Sequence, residues 1–119
     1  MTPPPIAVVY KICPAALWRK AEAKGEFCGA PVDVTDGFIH LSTAAQVRET
    51  ARRHFSGLGD LKLVSVAAAP LGAALKWEAS RGGDLFPHLY GPLPMSAVRK
   101  VEDLPLGRDG LHVFPPDFA

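Results

Sequence analysis

Residues 61–69 are Leu-Lys-Leu-Val-Ser-Val-Ala-Ala-Ala, an almost unbroken apolar run. Successive side chains of an extended chain point to opposite faces, so positions 61, 63, 65 and 67 share one face and positions 62, 64, 66 and 68 the other. Both faces are mostly apolar. The run therefore predicts a strand over Leu61–Ala69 that is buried on both sides.

The residues before this strand predict a first strand and a first helix. The run Ile6–Ile12 is β-branched and aromatic, which is typical of a buried strand. A helix is expected at about Pro14–Lys24, because proline suits the first helical position and Gly25 suits the position after the last turn. The chain thus begins with a β-α unit.

The next segment predicts a loop, a short strand and a second helix. Phe27–Val34 contains proline and shows no periodicity, so it is predicted to be a loop that leads to the turn signal Asp36-Gly37. Residues 38–41, Phe-Ile-His-Leu, form a very short extended piece. A helix begins at Thr43, which has capping-box spacing with the glutamine three residues later, and ends near residues 57–59, Gly-Leu-Gly.

The residues after the predicted strand Leu61–Ala69 predict short strands and turns. Strands are expected at Ala74–Ala79, Ala97–Leu104 and Leu111–Phe114, whereas prolines and glycine divide residues 87–94 into turns around His88-Leu89-Tyr90. Two early short helices followed by strands predict an α+β fold with a split sheet, mixed or antiparallel. No Walker loop or Gly-x-Gly-x-x-Gly follows a strand.

The composition is typical of one compact domain. Of 119 residues, 48% are hydrophobic, so we expect a frayed start over residues 1–5 and a single domain over residues 6–119. The net charge of +1 disfavours bulk nucleic-acid binding. Cys13 and Cys28 are most simply free thiols, although one disulfide stays open. The start matches no secretory signal and no apolar run is long enough to span a membrane, so we expect a soluble cytoplasmic protein.

Polar side chains interrupt the apolar pattern at residues 38–42. Alternation puts Phe38 and His40 on one face of the short strand, one step before a helix whose free amide groups attract anions. An imidazole at this position can hold a phosphate, a ribose hydroxyl or a carboxylate. Alternatively, His40 and Ser42 only satisfy buried backbone groups where a strand meets a helix.

A second polar group surrounds a predicted strand end. If Trp77 faces the core, Glu78 faces the other side, where its carboxylate can bind a sugar hydroxyl or stabilise a developing cation. His88 and Tyr90 share a side if residues 88–90 are extended, and the tyrosine ring can stack on a flat heterocycle. The alternatives are a solvated edge glutamate and a turn that packs its rings under the sheet.

Three other features are weaker candidates. Arg48, Arg52 and Arg53 give the second helix a basic flank, which either binds phosphate or is a solvated face. Cys13 precedes a helix start that would lower its pKa and make it a nucleophile, although a small buried thiol explains it as well. No metal site is predicted, because the four histidines show no His-Glu-x-x-His motif and the cysteines no Cys-x-x-Cys motif.

Several blocks of the chain together resemble one bacterial family. The blocks are Gly37-Phe38-Ile39-His40-Leu41-Ser42, Trp77-Glu78, Phe86-Pro87-His88-Leu89-Tyr90-Gly91 and Asp109-Gly110, with Trp18, Ala21, Gly25 and Gln46 in the same order. They resemble the domain of unknown function 952 family over nearly the whole chain. That family is similar in fold to ADP-ribosyltransferases, which have a compact α+β body of two packed sheets around a cleft that holds NAD in active members.

The resemblance implies roles for single residues. In ADP-ribosyltransferases an early His or Arg anchors a ribose, an aromatic ring stacks on nicotinamide, and a glutamate bonds the nicotinamide ribose. On matching positions His40 is the anchor, supported by Ser42 or Thr43, and Tyr90 is the stacking ring. Glu78 would then stabilise the oxocarbenium-like transition state. In this sequence the glutamate precedes the block at residues 86–91, whereas the transferases carry it on the last strand.

These inferences predict a cleft for NAD or another ligand that contains ADP-ribose, with NAD a substrate rather than a resident cofactor. The expected catalytic residues are Glu78, His40 and His88, and the expected ligand-binding residues are His40, Ser42, Thr43, Trp77, His88 and Tyr90. The sequence leaves the acceptor of any ADP-ribose transfer unidentified. Two alternatives stay open: a non-catalytic module that binds a nucleotide or small anion, and an enzyme of phosphoester or nucleotide chemistry with His40 and His88 as an acid-base pair.

Overall fold

The strand predicted over Leu61–Ala69 is confirmed as β4, Leu61–Ala67. It is the middle strand of a three-stranded antiparallel sheet. Strand β1, Val8–Pro14, pairs with one edge of β4, and β8, Val98–Leu104, pairs with the other. The computed structural model describes residues 6–116 and Phe118. The predicted frayed start, residues 1–5, lies outside the described residues.

The other elements complete a single compact α+β domain. The helices are α1 (Ala15–Lys24), α2 (Pro31–Asp36) and α3 (Ala44–His54), and the other strands are β2 (Glu26–Phe27), β3 (Ile39–His40), β5 (Leu75–Ala79), β6 (Leu85–Leu89) and β7 (Leu93–Pro94). Short 3-10 turns occupy Ala69–Ala74, Arg81–Gly83 and Met95–Ala97. A second sheet has the order β3-β6-β5, β2 pairs with β7, and every strand pair is antiparallel.

The two faces of β4 contact different parts of the core. Leu61 and Leu63 pack with Val47 of α3, whereas Val64 and Val66 belong to a larger cluster that includes α1 and the second sheet. A helix thus covers one face of β4, and α1 with the second sheet covers the other. This placement is the physical reason for apolar residues on both faces of the run.

The two longer helices confirm the capping signals. Helix α1 ends at Gly25, whose φ of +94° is left-handed and whose N–H bonds the Ala21 carbonyl. Helix α3 begins after Thr43, and the Gln46 side chain accepts the Thr43 backbone N–H at 3.0 Å. Within the described residues, no helix has the length and apolar character needed to cross a bilayer.

The predicted loop over Phe27–Val34 is wrong for its second half, which is the start of helix α2. Proline at position 31 suits the first turn of a helix, because a backbone N–H at that position would have no partner within the helix. The helix ends at Gly37, where a φ of +87° turns the chain into β3. A helix of six residues is too short for the hydrophobic periodicity on which the prediction depends.

The predicted turns around His88-Leu89-Tyr90 are also wrong for residues 87–89, which belong to β6 (Leu85–Leu89), the middle strand of the second sheet. Pro87 sits inside this strand and its carbonyl accepts the Leu41 N–H at 3.0 Å. Proline removes one donor from a ladder but its φ is compatible with extended chain. Proline therefore predicts a break in the strand at this position, but pairing with β3 and β5 keeps the segment extended.

The predicted strand Leu111–Phe114 is wrong as well. Its residues form one isolated bridge, between Leu106 and His112, and other backbone bonds run to the preceding loop. The Val113 N–H, for example, bonds the Pro105 carbonyl at 2.8 Å. The segment lacks a ladder of partners because it pairs with its own loop rather than with a sheet edge.

Replacement of Leu63 by alanine should destabilise the fold strongly. Leu63 is fully buried on β4, and Leu→Ala in a packed core lowers the free energy of unfolding by about 2–5 kcal/mol. The matched control is Leu58→Ala, because Leu58 is 52% exposed and its loss should change the free energy by less than about 0.5 kcal/mol. Urea unfolding measures both, and equal losses in the two variants would contradict the central position of β4.

Candidate functional site

The second sheet has an apolar face and a polar face. Ile39 and Leu89 pack into the core from one side. His40 and His88 are direct partners in the register of β3 and β6, so their side chains leave the sheet on the same, opposite side. Glu78 reaches this face from β5, where it bonds His88. Three candidate residues from three strands thus meet on one surface.

His40 is held by the carboxylate of Asp33. Asp33 Oδ1 is 2.6 Å from His40 Nδ1 and also accepts the His40 backbone N–H at 3.1 Å. Because a carboxylate only accepts, we assign a proton to Nδ1 of His40. The other ring nitrogen, Nε2, lies 3.0 Å from Oδ2 of Asp36. Asp33 therefore sets the ring orientation that directs Nε2 away from the core.

Asp33 is itself part of a buried ion pair. Its Oδ2 lies 2.9 Å from Nζ of Lys11, and the side chains of both residues are at most 5% exposed. Lys11 also donates to the backbone carbonyl of His40 at 3.1 Å. Burial acts to raise the pKa of Asp33, but the His40 hydrogen bonds and the Lys11 charge outweigh it and hold that pKa well below its usual value of 3.8.

His88 is held by Glu78 in the same manner. Glu78 Oε1 is 2.9 Å from His88 Nδ1 and accepts the Tyr90 hydroxyl at 2.7 Å. The Tyr90 hydrogen bond, followed by that of His88, lowers the pKa of Glu78, and the same bond to Glu78 raises the pKa of Tyr90. Each histidine thus has a carboxylate at Nδ1, an arrangement that orients an imidazole and leaves Nε2 for other contacts.

Phe38 packs against both histidines. Its ring stacks on His88 with centroids 4.1 Å apart and an angle of 23°, and its centroid is 4.6 Å from that of His40. The ring of Tyr90 also lies near Phe38, with the two centroids 5.3 Å apart. The His40 and His88 rings are 5.7 Å apart and nearly edge-on. Phe38 therefore limits rotation of both imidazoles.

Both histidines open onto a cleft of about 500 Å³. It lies between β1, α3 and the polar face of the second sheet. Its lining residues are Tyr10, Lys11, Ile12, Val32, Asp36, His40, Leu41, Ser42, Thr50, His54, Phe55, Ser80, Phe86 and His88. A half-open, mostly apolar cleft of this size with a few convergent polar groups has the properties of a small-molecule site.

The remaining predicted site residues have different surroundings. Ser42 lines the cleft, and its hydroxyl is 2.9 Å from that of Thr50. Thr43 is buried at the start of α3 and does not line the cleft. Trp77 lies on the opposite face of β5 from Glu78 and is 38% exposed, so the structure does not bring it to the two histidines. Glu78 bonds His88, and Tyr90 bonds Glu78 and contacts Phe38. Neither Glu78 nor Tyr90 lines the cleft.

Sequence reasoning missed Asp33 and Lys11, although they organise the site. Lys11 was part of an apolar strand, and Asp33 lay inside the predicted loop. One signal was present: Pro31 followed two residues later by an acidic residue is typical of a helix start. Gly29 completes the arrangement, because a Cβ there would lie 2.9 Å from Cβ of Asp33.

The weaker candidates have structural roles. Cys13 is fully buried, and burial raises the pKa of its thiol to about 11, so the structure favours a small buried thiol over an activated nucleophile. Arg48 stacks on Phe114 and Phe118, while Arg52 and Arg53 pair with Glu49. Both cysteines are free. Among the described residues, no three His, Cys, Asp or Glu side chains are grouped closely enough to hold a metal ion.

The fold and the cleft define a small α+β protein with one pair of carboxylate-bound histidines. The chain belongs to the family described as protein of unknown function DUF952, whose model matches residues 12–101. It is similar to the crystal structure of protein CC0527 from Caulobacter crescentus, with 52% identity, a TM-score of 0.86, and coverage of 89% of this chain and 93% of that chain. The solution structure of the same protein has 53% identity and a TM-score of 0.79, with coverage of 87% and 90%. A comparison with curated proteins gives no match.

Replacement of Asp33 by asparagine should destabilise the protein and alter its response to acid. The change leaves the Lys11 charge buried without a partner, which should lower the free energy of unfolding at pH 7 by about 3–5 kcal/mol. The low folded pKa of Asp33 means that its contribution is present at neutral pH and is lost as the pH falls from about 5 towards that pKa. The wild type should therefore lose stability over this range more steeply than Asp33→Asn, as measured by urea unfolding at a series of pH values.

Two further variants control this experiment. Asp60→Asn removes an exposed carboxylate of the same type and should leave the acid response unchanged. The double variant Lys11→Met, Asp33→Asn removes the unpaired charge and should recover part of the lost stability. Parallel pH profiles of the wild type and Asp33→Asn would contradict the inferred role of the ion pair.

Proposed function

We propose that the protein binds NAD or another nucleotide that contains ADP-ribose, in the cleft beside His40 and His88. The observation that carries this proposal is that two imidazoles from adjacent strands, each held at Nδ1 by a carboxylate, line one cleft of about 500 Å³. The Nε2 atoms of these two imidazoles are suited to contact phosphate oxygens and ribose hydroxyls. The mostly apolar walls are suited to contact a flat base.

A fold similar to that of ADP-ribosyltransferases is part of this proposal. Two observations support it: the antiparallel sheets are split around a cleft, and His40 lies on a short strand at the cleft. Ser42, the residue proposed to support the anchor, lines the same cleft, and its hydroxyl bonds that of Thr50. Thr43 supports it indirectly, because it begins helix α3 immediately after Ser42.

Transfer of ADP-ribose is the catalytic form of the proposal, and Glu78 is its central residue. Cleavage of NAD breaks the bond between nicotinamide and ribose, and nicotinamide leaves with the bonding electron pair. The ribose carbon then forms a new bond to the acceptor nucleophile or to water, and a carboxylate stabilises the positive charge that develops on the ribose in between. Glu78 and Tyr90 do not line the cleft, but Glu78 is 40% exposed and bonds His88, which does line it. The proposal therefore has the nicotinamide ribose extend from the cleft past His88 to the Glu78 carboxylate. Tyr90, 39% exposed, offers a ring for stacking on nicotinamide.

A second candidate is phosphoester chemistry with His40 and His88 as an acid-base pair. The specific observation in its favour is the pair of carboxylates at the two Nδ1 atoms, because a carboxylate behind an imidazole stabilises the protonated ring during proton transfer. In this case Glu78 is a positioning residue. A non-catalytic nucleotide module would use the same contacts without turnover.

Ligand binding should require His40 and His88. Calorimetric titration and thermal shift with NAD, ADP-ribose, AMP and nicotinamide should give binding and a higher melting temperature for the ADP-ribose-containing ligands. His40→Ala and His88→Ala should each weaken the binding about tenfold or more, the loss of roughly one charge-assisted hydrogen bond. His112→Ala is the control, because His112 does not line the cleft. No binding at millimolar ligand would contradict the proposed function.

Turnover should distinguish the two catalytic candidates. If the protein cleaves NAD, the Glu78→Gln variant should release nicotinamide about 100-fold or more slowly than the wild type but still bind ADP-ribose. The reason is that glutamine keeps a hydrogen-bond acceptor but lacks the negative charge. If the chemistry is that of an acid-base pair, phosphate-ester cleavage should depend on His40 and His88 and only partly on Glu78. Nicotinamide and phosphate are measured separately by chromatography. Binding without either product would identify a non-catalytic module.

A further inference from the structure

His40 has two carboxylate neighbours, of which Asp33 is buried and Asp36 is exposed. Asp33 at Nδ1 is 1% exposed in its side chain and is bonded by Lys11 and two backbone N–H groups. Asp36 at Nε2 is 45% exposed, and His40 itself 34%. Within the part of the chain that the structure describes, the Asp36 carboxylate makes no other ion pair or hydrogen bond. Asp33 is therefore a fixed structural partner and Asp36 an exchangeable one.

Asp36 and His40 both line the cleft, and so does His88. The positive charge of Lys11 is already compensated by Asp33. Because Nδ1 of His40 is bonded to Asp33, His40 can contact a ligand only through Nε2. Nε2 of His88 has no bonded partner among residues 6–116 and Phe118. Both histidines line the cleft, and Nε2 of His40 is in contact with the Asp36 carboxylate oxygen Oδ2 at 3.0 Å.

We infer that Nε2 of His40, together with His88, forms an anion subsite for the phosphate or diphosphate of a ligand, and that the Asp36 carboxylate occupies this subsite when the ligand is absent. This inference rests on the proposed function and adds to it the chemical group that contacts His40. An exposed ion pair between His and Asp contributes little, so a diphosphate with two anionic groups displaces it readily. Asp36 then competes with the ligand and weakens its binding.

The energetic consequence is opposite to that expected of a binding residue. Removal of the Asp36 charge eliminates the competitor and a nearby negative charge, so anion affinity rises. An exposed pair of this type corresponds to roughly a two- to fivefold change in a binding constant. A residue that contacted the ligand favourably would lower the affinity when changed.

The test compares Asp36→Asn with the wild type in titrations with inorganic pyrophosphate and, separately, ADP-ribose. Asparagine has the same shape and removes only the charge. Calorimetry should give tighter binding of both probes to Asp36→Asn, by about two- to fivefold. In ¹⁵N-histidine NMR, pyrophosphate should shift the Nε2 resonance of His40 in both proteins. His40→Ala in the Asp36→Asn background should abolish the gain, with circular dichroism as the check that this variant is folded.

Asp60→Asn is the matched control, since it makes the same change of charge at an exposed residue outside the cleft and should leave both affinities unchanged. Equal or weaker pyrophosphate binding by Asp36→Asn, or an unchanged His40 resonance, would overturn the inference. If ADP-ribose still bound in that case, the proposed function would stand with other contacts. A gain for pyrophosphate without any nucleotide binding would support the anion subsite and reject the proposed function.

Discussion

The buried ion pair between Lys11 and Asp33 is the constraint on which the site depends. Two opposite charges in a protein interior are costly to desolvate, and the cost is offset only when every donor and acceptor is satisfied. Here Lys11 has both Asp33 oxygens and the His40 carbonyl, and Asp33 also accepts from Ala30 and His40. The pair thereby fastens strand β1, helix α2 and strand β3 to one another.

This connection links stability to the geometry of the cleft. His40 cannot rotate without loss of the 2.6 Å contact to a carboxylate that is already required by Lys11. The orientation of the His40 ring is therefore fixed by a carboxylate that also belongs to the buried ion pair. His88 has partly exposed partners, Glu78 and Tyr90, but its own side chain is only 7% exposed and its ring stacks on Phe38. The two histidines therefore have the same kind of partner at Nδ1 and differ in how deeply that partner is buried.

Much of the framework is predictable from local signals. The central strand, the helix that ends at Gly25 and the helix that begins at Thr43 each have a pattern that needs no distant partner: an apolar run, a left-handed cap and a capping box. The wrong predictions have different causes. Helix α2 is too short to show periodicity. Strand β6 contains a proline that local rules assign to a turn, but its pairing with β3 and β5 outweighs that local preference. Residues 111–114 pair with their own preceding loop rather than with a sheet edge.

The same division separates the site residues. The chemistry of His40, Glu78, His88 and Tyr90 is visible in the sequence, because reactive polar side chains interrupt otherwise apolar or turn-like segments. Their roles are not visible, since the sequence does not show that Asp33 lies at Nδ1 of His40 or that Trp77 faces away from Glu78.

The sequence by itself thus determined an α+β domain, its central strand and the residue types available for chemistry, because periodicity and capping are properties of neighbouring residues. Only the tertiary structure decided which carboxylate holds which imidazole and which side chains share a cleft. These contacts join residues that are distant in sequence: Lys11 and Asp33 are 22 positions apart, and Glu78 and His88 are 10 apart. They follow from strand register and packing, which place distant residues in contact and separate adjacent ones onto opposite faces of a sheet.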